Sequence, residues 1–107
     1  KRTQNMELHQ NKINYNGLIL DISKSILEKE NEKIELTKNE LKIFHFLLLN
    51  KDKIISRDEL MDYLWESESF IDDNTLSVNI KRLRNKLEEL GMKDCIETKR
   101  GQGYILK

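Results

Sequence analysis

Four cations lie close together in the segment VNIKRLRNKLEEL, residues 78–90. They are Lys81, Arg82, Arg84 and Lys86, and no acid occurs among them before Glu88. Clustered lysine and arginine side chains bind phosphates and read base edges, so the pattern indicates a surface for nucleic acid. The simpler interpretation is that these cations only solvate the outer face of a surface helix. Nucleic-acid binding requires that the fold bury the opposite face of the helix and leave these cations exposed.

The apolar residues of this segment predict one buried helical stripe. Spacings of three and four separate Leu76, Ile80, Leu83, Leu87 and Leu90, and at about 100° per residue these side chains share one side of a helix. Gly91 ends the helix. The side chains that point away from the stripe are Val78, Lys81, Arg82 and Asn85, while Arg84 and Lys86 flank it. A helix over about 74–90 would therefore present a cationic face.

Three further features favour nucleic-acid binding over simple solvation. Every charged residue between 58 and 73 is an acid and every one between 74 and 87 is a base, whereas a merely soluble helix more often interleaves the signs. Val78 is an apolar side chain on the polar face, which suits a thymine methyl group in a major groove. The first turns also carry short polar side chains that a phosphate can approach closely, namely Thr75, Ser77 and Asn79.

The composition predicts a single cytoplasmic domain. The chain has 107 residues and a formal net charge of zero, enough for one core and too few for two, and its bulk charge neither attracts nor repels nucleic acid. One cysteine, Cys95, excludes an internal disulfide and fits a reducing compartment. The longest apolar stretch, around residues 43–49, is far shorter than the ~20 residues that span a bilayer. We predict a domain over 12–107, with residues 1–11 as the remnant of a linker.

Groups that could perform catalysis or bind a metal are sparse. His9 and His45 are far apart, and neither has a ligand partner at a suitable spacing. Asp72 and Asp73 are adjacent, so their carboxylates point in different directions and suit a helix cap better than general acid–base work. Cys95 has no nearby histidine and is predicted to be a small buried hydrophobe. We therefore predict no enzymatic activity, no metal and no cofactor.

The first third of the chain predicts up to four short antiparallel strands. The runs KINY, LILD, SILEK and EKIEL are separated by polar breaks, and the first break is Asn16-Gly17, which is typical of a type I′ hairpin turn.

Two helix starts share one capping pattern, Thr37 with Glu40 and Ser56 with Glu59, so helices should begin at about Lys38 and Arg57. The first helix has an apolar stripe of Leu41, Phe44, Leu47 and Leu48, and the second has Leu60, Leu64 and Met61. Trp65, near the end of the second helix, is predicted to be in the core.

The C-terminal segment IETKRGQGYILK predicts a strand, a turn over 99–103 and a second strand. A hairpin with cations at its tip can act as a wing and insert Arg100 into a minor groove. The alternative is that Gly101 and Gly103 only permit a tight turn, while Lys99 and Arg100 only keep it soluble.

Three stretches together resemble the effector domain of OmpR/PhoB-type response regulators: LTKNELKIFHFLLLNKDKIISRDELMDYLW, NTLSVNIKRLRNKLEE and ETKRGQGYILK. The resemblance covers nearly all of 12–107 in the expected order and spacing. It implies an α+β winged helix-turn-helix, with an N-terminal four-stranded antiparallel sheet, three helices and a C-terminal β-hairpin wing. The run Asp-Asp-Asn-Thr-Leu, residues 72–76, is similar to the branch that regulates resistance to cell-envelope-active peptides.

The resemblance also implies roles for individual residues. The major-groove candidates are Asn79, Arg82 and Lys86, with Val78 beside them. Lys81 and Arg84 would lie near phosphates, and Arg100 would reach the minor groove. Thr98 and Tyr104 would contact the DNA backbone or brace the hairpin. Thr75 and Asn85 complete the predicted DNA-binding set.

The partners that the resemblance implies are double-stranded DNA, RNA polymerase and the other parts of a two-component system. The loop 66–74 matches the family's transactivation loop, with Glu66, Ser67, Glu68 and Asp72 as the predicted polymerase contacts. In the family, a sensor kinase leads to phosphorylation of a receiver domain, and two effector domains then occupy direct repeats about one helical turn apart. These 107 residues contain no receiver, so we expect weak monomeric DNA binding. The alternative class is a winged-helix protein–protein interaction module that does not bind DNA.

Overall fold

The computed structural model describes residues 12–66 and 72–107. The predicted linker over 1–11, His9, Ser67 and Glu68 lie outside the described residues. Four strands come first: β1 (Lys12–Tyr15), β2 (Leu18–Asp21), β3 (Ile26–Lys29) and β4 (Glu32–Glu35). They form one antiparallel sheet in chain order. The remaining elements are α1 (Lys38–Leu49), β5 (Ile54–Ile55), α2 (Arg57–Glu66), α3 (Asp73–Glu89), β6 (Ile96–Lys99) and β7 (Gly103–Leu106).

The N-terminal sheet is built from tight hairpins, as the sequence predicts. Asn16 and Gly17 both have positive φ, at 52° and 87°, which is the requirement of a type I′ turn. The turn pairs Tyr15 with Leu18 and aligns a cross-strand row of Ile13, Leu20, Leu27 and Ile34. Leu20 and Leu27 in the middle of this row are buried. The sheet therefore turns one apolar face toward the helices.

Both predicted capping boxes are present. The Glu40 amide donates to Thr37 Oγ1 at 3.2 Å, and the Thr37 amide donates to Glu40 Oε1 at 2.9 Å. At the start of α2, the Glu59 amide donates to Ser56 Oγ at 3.0 Å and the Ser56 amide donates to Glu59 Oε1 at 2.9 Å. Each box satisfies amides that have no partner inside the helix. The predicted helix starts at Lys38 and Arg57 are confirmed.

The core confirms the stripe of α3 and corrects that of α1. All five predicted positions of the third helix are buried, namely Leu76, Ile80, Leu83, Leu87 and Leu90. In α1, Phe44 and Leu47 are buried as predicted, but Leu41 and Leu48 are only partly buried. Ile43 and Glu40 are fully buried instead. Because α1 packs against α2, α3 and β7, it buries a broader face than one stripe.

The prediction that Trp65 lies in the core is wrong. Its side chain is 66% exposed, while the preceding Leu64 is 1% exposed and takes the inward position. Adjacent helical residues differ by about 100° in direction, so both cannot face the same core. Cys95, by contrast, is buried as predicted, and its Sγ donates to the Met92 carbonyl at 3.4 Å. Burial raises the pKa of this thiol.

The C-terminal hairpin belongs to a three-stranded sheet in the order β5-β7-β6. The two-residue strand β5 is not predicted from the sequence; it pairs Ile54 with Ile105 and Ile55 with Tyr104. Gly103 makes this pairing possible, because a Cβ there would lie 2.1 Å from the Ile55 carbonyl oxygen. Gly103 also has a φ of +141°, which side chains rarely tolerate. Strand β7 is thus paired on both sides, with β5 and with β6.

Among the described residues, the helices are too short or too polar for any of them to span a membrane.

Candidate nucleic-acid interface

Helix α3 presents a cationic surface because its apolar residues are held in the core. Val78 is 45% exposed, and Lys81, Arg82 and Asn85 are exposed beside it. Among the described residues, no hydrogen bond or ion pair holds Lys81 or Arg82. Acids lie on the outer surface of α2 instead, where Asp58, Asp62 and Glu66 are exposed. The segregation of charge in the sequence is therefore also a segregation in space, between two helices.

Asn79 does not belong to this surface, contrary to the sequence-based prediction. Its side chain is 5% exposed, and its Nδ2 donates to the Thr75 carbonyl oxygen at 2.8 Å. Asn79 follows Leu76 by three residues and precedes Leu83 by four, so it shares their side of the helix. The burial of Asn79 could therefore have been predicted from the sequence by this spacing. The side-chain NH2 of Asn79 is therefore used inside the helix, in a hydrogen bond to the preceding turn.

Lys86 is also drawn away from the cationic surface. Its Nζ donates to Glu40 Oε1 at 2.6 Å and to the Glu35 carbonyl oxygen at 2.8 Å. The Glu40 side chain is only 1% exposed and that of Lys86 is 26% exposed. Glu40 Oε2 is buried with no hydrogen-bond partner in the described part of the chain. The amine that the resemblance would place on a major-groove surface thus ties α3 to the start of α1.

Arg84 connects α3 to the wing. Its Nε donates to the Ile96 carbonyl oxygen at 3.1 Å, and its Nη2 donates to Thr98 Oγ1. The side chain is half-buried, whereas Thr98 is exposed. The guanidinium that the resemblance would put near a phosphate thus already has two partners inside the protein.

The wing exposes one cation that carries no internal partner. Arg100 is exposed at the turn, and no ion pair holds it among the described residues. Lys99 lies 3.3 Å from Glu97 Oε2, and Lys107 lies 3.4 Å from Glu97 Oε1. The hydrogen bonds from Lys99 and then Lys107 lower the pKa of Glu97. Arg100 is therefore the wing cation that remains available to a polyanion.

The wing turn is short and internally closed. The Gln102 amide donates to the Lys99 carbonyl oxygen at 2.8 Å, and Gly101 has a φ of +76° in open space. Tyr104 is 6% exposed. Its side chain is therefore in the core and not on the surface of the hairpin.

Asp72 caps the N-terminus of α3, as predicted. Its Oδ1 accepts the Thr75 amide at 2.8 Å, and the hydrogen bonds from Thr75 lower its pKa below the ordinary value of 3.8. A carboxyl whose pKa is lower in the folded state stabilises the protein above its unfolded pKa, and this contribution is lost as the pH falls through the folded pKa. The cap fixes the end of α3 that carries Thr75 and Val78.

We expect Asp72→Ala to lower the midpoint of thermal unfolding near neutral pH, and Asp72→Asn, which keeps the acceptor oxygen, to lower it less. Because the carboxylate cap is lost on protonation, the difference between Asp72→Ala and the unaltered chain should shrink below pH 3.8. Thermal melts followed by circular dichroism at several pH values measure this. A difference that stays constant across the acid range would show that the carboxylate is not the capping group.

Metal binding and acid–base chemistry gain no support from the described residues. Within 12–66 and 72–107 there is no group of three or more His, Cys, Asp or Glu side chains that could hold a metal ion. His45 is half-buried on α1, and its burial lowers its pKa. It has the properties of a structural helical histidine.

A helix anchored by leucines with exposed cations, followed by a hairpin with an exposed arginine, is the arrangement of a winged-helix domain. The family model described as "Transcriptional regulatory protein, C terminal" matches residues 31–106. The chain belongs to this family, the effector domains of OmpR/PhoB-type regulators. The family consists of DNA-binding domains of transcriptional regulators, not of known enzymes. The predicted winged-helix fold is confirmed, and the family model places the chain among the C-terminal domains of transcriptional regulatory proteins.

Known relatives support this assignment. The response regulator protein GraR of Staphylococcus aureus (strain MRSA252) is 43% identical over 93 residues, which is 87% of this chain and 42% of GraR. GraR of Staphylococcus saprophyticus is 44% identical over the same shares. The chain thus spans less than half the length of the curated relatives it matches.

Two solved structures are similar over most of the fold. The C-terminal domain of the nisin resistance regulator NsrR, a lantibiotic response regulator, has a TM-score of 0.80 and 39% identity, covering 87% of this chain and 94% of that one. The DNA-binding domain of the response regulator AdeR, in complex with an intercistronic region, has a TM-score of 0.74 and 28% identity, covering 89% of this chain and 98% of that one.

Proposed function

We propose that this chain is the effector part of a cytoplasmic two-component response regulator and that it binds double-stranded DNA sequence-specifically. The observation that carries the proposal is the exposure of Val78, Lys81 and Arg82 on a helix whose opposite side is fully buried. In this proposal α3 enters the major groove and the wing turn, residues 99–103, enters the adjacent minor groove. A sensor kinase acts through a receiver domain, as in the response regulators that the chain resembles.

The described contacts divide the work among the side chains. Arg82 and Val78 read base edges, the first by paired donors to guanine and the second by contact with a thymine methyl group. Lys81 and Thr75 bind phosphates, and Asn85 lies at the edge of the same surface. Arg100 enters the minor groove, where a narrow, A·T-rich width favours a guanidinium. Asn79 and Lys86 leave this set because their polar groups are engaged inside the protein.

The regulated genes concern resistance to cell-envelope-active peptides. This proposal is supported by the likeness to NsrR, whose structure is that of a nisin resistance regulator. Two copies of the chain occupy direct repeats about one helical turn apart, since a single copy offers few base contacts. Footprinting on genomic fragments tests both points, because it gives the repeat spacing and the adjacent genes.

RNA polymerase contacts the segment between α2 and α3. Glu66 and Asp72 border this segment and are exposed. The other two predicted contacts, Ser67 and Glu68, lie outside the described residues. A charge reversal at Glu66 should reduce transcription from a bound promoter without changing DNA affinity, and a parallel loss of affinity would contradict this assignment.

The proposed base contact of Arg82 and the proposed phosphate contact of Lys81 predict different effects of their substitution. Arg82→Ala should weaken binding to the preferred duplex by roughly 1–3 kcal/mol and relax specificity at one base pair. Lys81→Ala should weaken binding to all sequences alike and reduce the slope of log K against log[salt] by about 0.9. Titration of a duplex that the chain selects from a random library, and of a scrambled duplex, measures both.

Lys93→Ala is the matched control for these two variants, because Lys93 is exposed in the segment after α3 and not on its cationic surface. Equal losses on both duplexes for Arg82→Ala and Lys81→Ala would contradict the assigned roles. If the unaltered chain binds no duplex even at low salt, the protein–protein interaction module becomes the better description.

A further inference from the structure

A groove of about 400 Å³ opens beside the contact between the C-terminal half of α3 and the strand β6, with Leu87, Met92 and Cys95 in its wall. Arg84 borders the same groove and reaches across to Ile96 and Thr98. The hydrogen bonds of Arg84 therefore join β6 to the helix beside this groove.

Arg84 also meets an edge of β6 that has no strand partner within residues 12–66 and 72–107. In the order β5-β7-β6, β6 is an edge strand. The Lys107 amide donates to the Cys95 carbonyl at 2.9 Å, so the alternation of an antiparallel ladder turns the backbone groups of Ile96 away from β7. Arg84 Nε meets that outward carbonyl. Its guanidinium thus supplies the donor that a further strand would supply.

The two contacts on β6 are close to the tip of the wing. Thr98 precedes Arg100 by only two residues, and β6 runs straight into the turn that Arg100 occupies. A planar guanidinium that bonds at two points fixes direction as well as distance. A rotation of β6 about its own axis would therefore carry Arg100 away from its place relative to Arg82 on α3.

We propose that Arg84 is a positioning residue, and that its bridge to Ile96 and Thr98 sets the separation between the major-groove helix and the minor-groove arginine. The proposal rests on the proposed function, and it replaces the direct phosphate contact that the family resemblance implies for Arg84. Arg84 acts on DNA through Arg100. Its loss should therefore matter only while Arg100 is present.

A double-mutant cycle between Arg84→Lys and Arg100→Ala tests the proposal on the full chain. Lysine keeps the charge but not the forked geometry, so a phosphate contact would largely survive the exchange, whereas the bridge would not. We expect Arg84→Lys to weaken binding to the library-selected duplex about tenfold, and by less than about twofold when Arg100 is already alanine. Thr98→Val, which changes no charge, should likewise weaken binding more when Arg100 is present than when it is alanine. It replaces Arg84→Lys in the cycle if that variant does not fold.

A measurement without DNA separates this inference from the proposed function. Hydrogen exchange of the Gln102 amide, which closes the wing turn, should accelerate in Arg84→Lys and Thr98→Val but not in Arg100→Ala. Unchanged exchange, or equal losses of affinity in both Arg100 backgrounds, would overturn the positioning role alone. Failure of the unaltered chain to bind any duplex would overturn the proposed function, and the accelerated exchange would then report a purely structural bridge.

Discussion

Gly103→Ala should destabilise the protein by about 3 kcal/mol or more, the largest effect that we expect from any single methyl group in the described fold. The added Cβ would lie 2.1 Å from the Ile55 carbonyl oxygen and 2.7 Å from the Ser56 Cα. Both are backbone atoms, the first at the end of β5 and the second just before α2, so neither can rotate out of the way. The φ of +141° adds backbone strain. Separation of β5 from β7 should follow.

Gly101→Ala is the matched control for this variant. Gly101 also has a positive φ, +76°, but a Cβ there would meet nothing within 4 Å. Its substitution should therefore cost only about 1 kcal/mol of backbone strain. Chemical denaturation of both variants measures the difference, and DNA titration should show a much larger loss for Gly103→Ala. Equal destabilisation of the two would show that the contact with β5 does not hold the wing.

The second large effect concerns the ion pair between Lys86 and Glu40. Lys86→Met keeps the side chain's length but removes its charge. Among the described residues, the buried Glu40 carboxylate then keeps only the Thr37 amide as a donor. Breaking a buried pair in this way costs about 3 kcal/mol or more, because the remaining charge is uncompensated. The free energy of unfolding from urea titration should fall by about that amount. Most of it should return in the double variant Glu40→Gln/Lys86→Met, whose core carries no charge at this position.

The DNA-binding properties of Lys86→Met distinguish the ion pair from a groove contact. If Lys86 serves the fold, the salt dependence of DNA binding should be the same in the folded variant as in the unaltered chain, while Lys81→Ala reduces it. A reduced slope for Lys86→Met with little change in stability would place Lys86 at the DNA after all.

Local chemistry explains which parts of the fold could be predicted from the sequence. The Asn16-Gly17 turn, the boxes at Thr37 and Ser56 and the cap at Asp72 each depend on residues within three positions of one another. The stripe of α3 likewise depends only on helical periodicity. The strand β5 could not be predicted in this way, because a two-residue strand has no pattern and exists only where β7 arrives from far along the chain.

The candidate site was predictable to the extent that exposure follows from periodicity. Lys81, Arg82 and Arg100 are exposed as expected. Lys86 could not be placed correctly from α3 alone, because its partner Glu40 lies 46 residues earlier and the first helix packs over that flank. Arg84 shows the same limitation, since Ile96 and Thr98 become neighbours only after the hairpin has folded back. A helical wheel describes an isolated helix, whereas α3 is contacted by α1 on one flank and by β6 on another.

The separation of acids on α2 from cations on α3 has a kinetic consequence. With 19 basic and 19 acidic residues, the chain has no net pull on a distant duplex. Opposite charges on two neighbouring helices cancel beyond roughly the Debye length of about 8 Å. Electrostatic attraction therefore orients the protein only within the last few ångströms of its approach to a duplex. For the same reason, we expect it to dissociate quickly from random DNA. Under the proposed function, long occupancy of a promoter would come from linking two copies of the chain, since linking converts the second binding event into an intramolecular one.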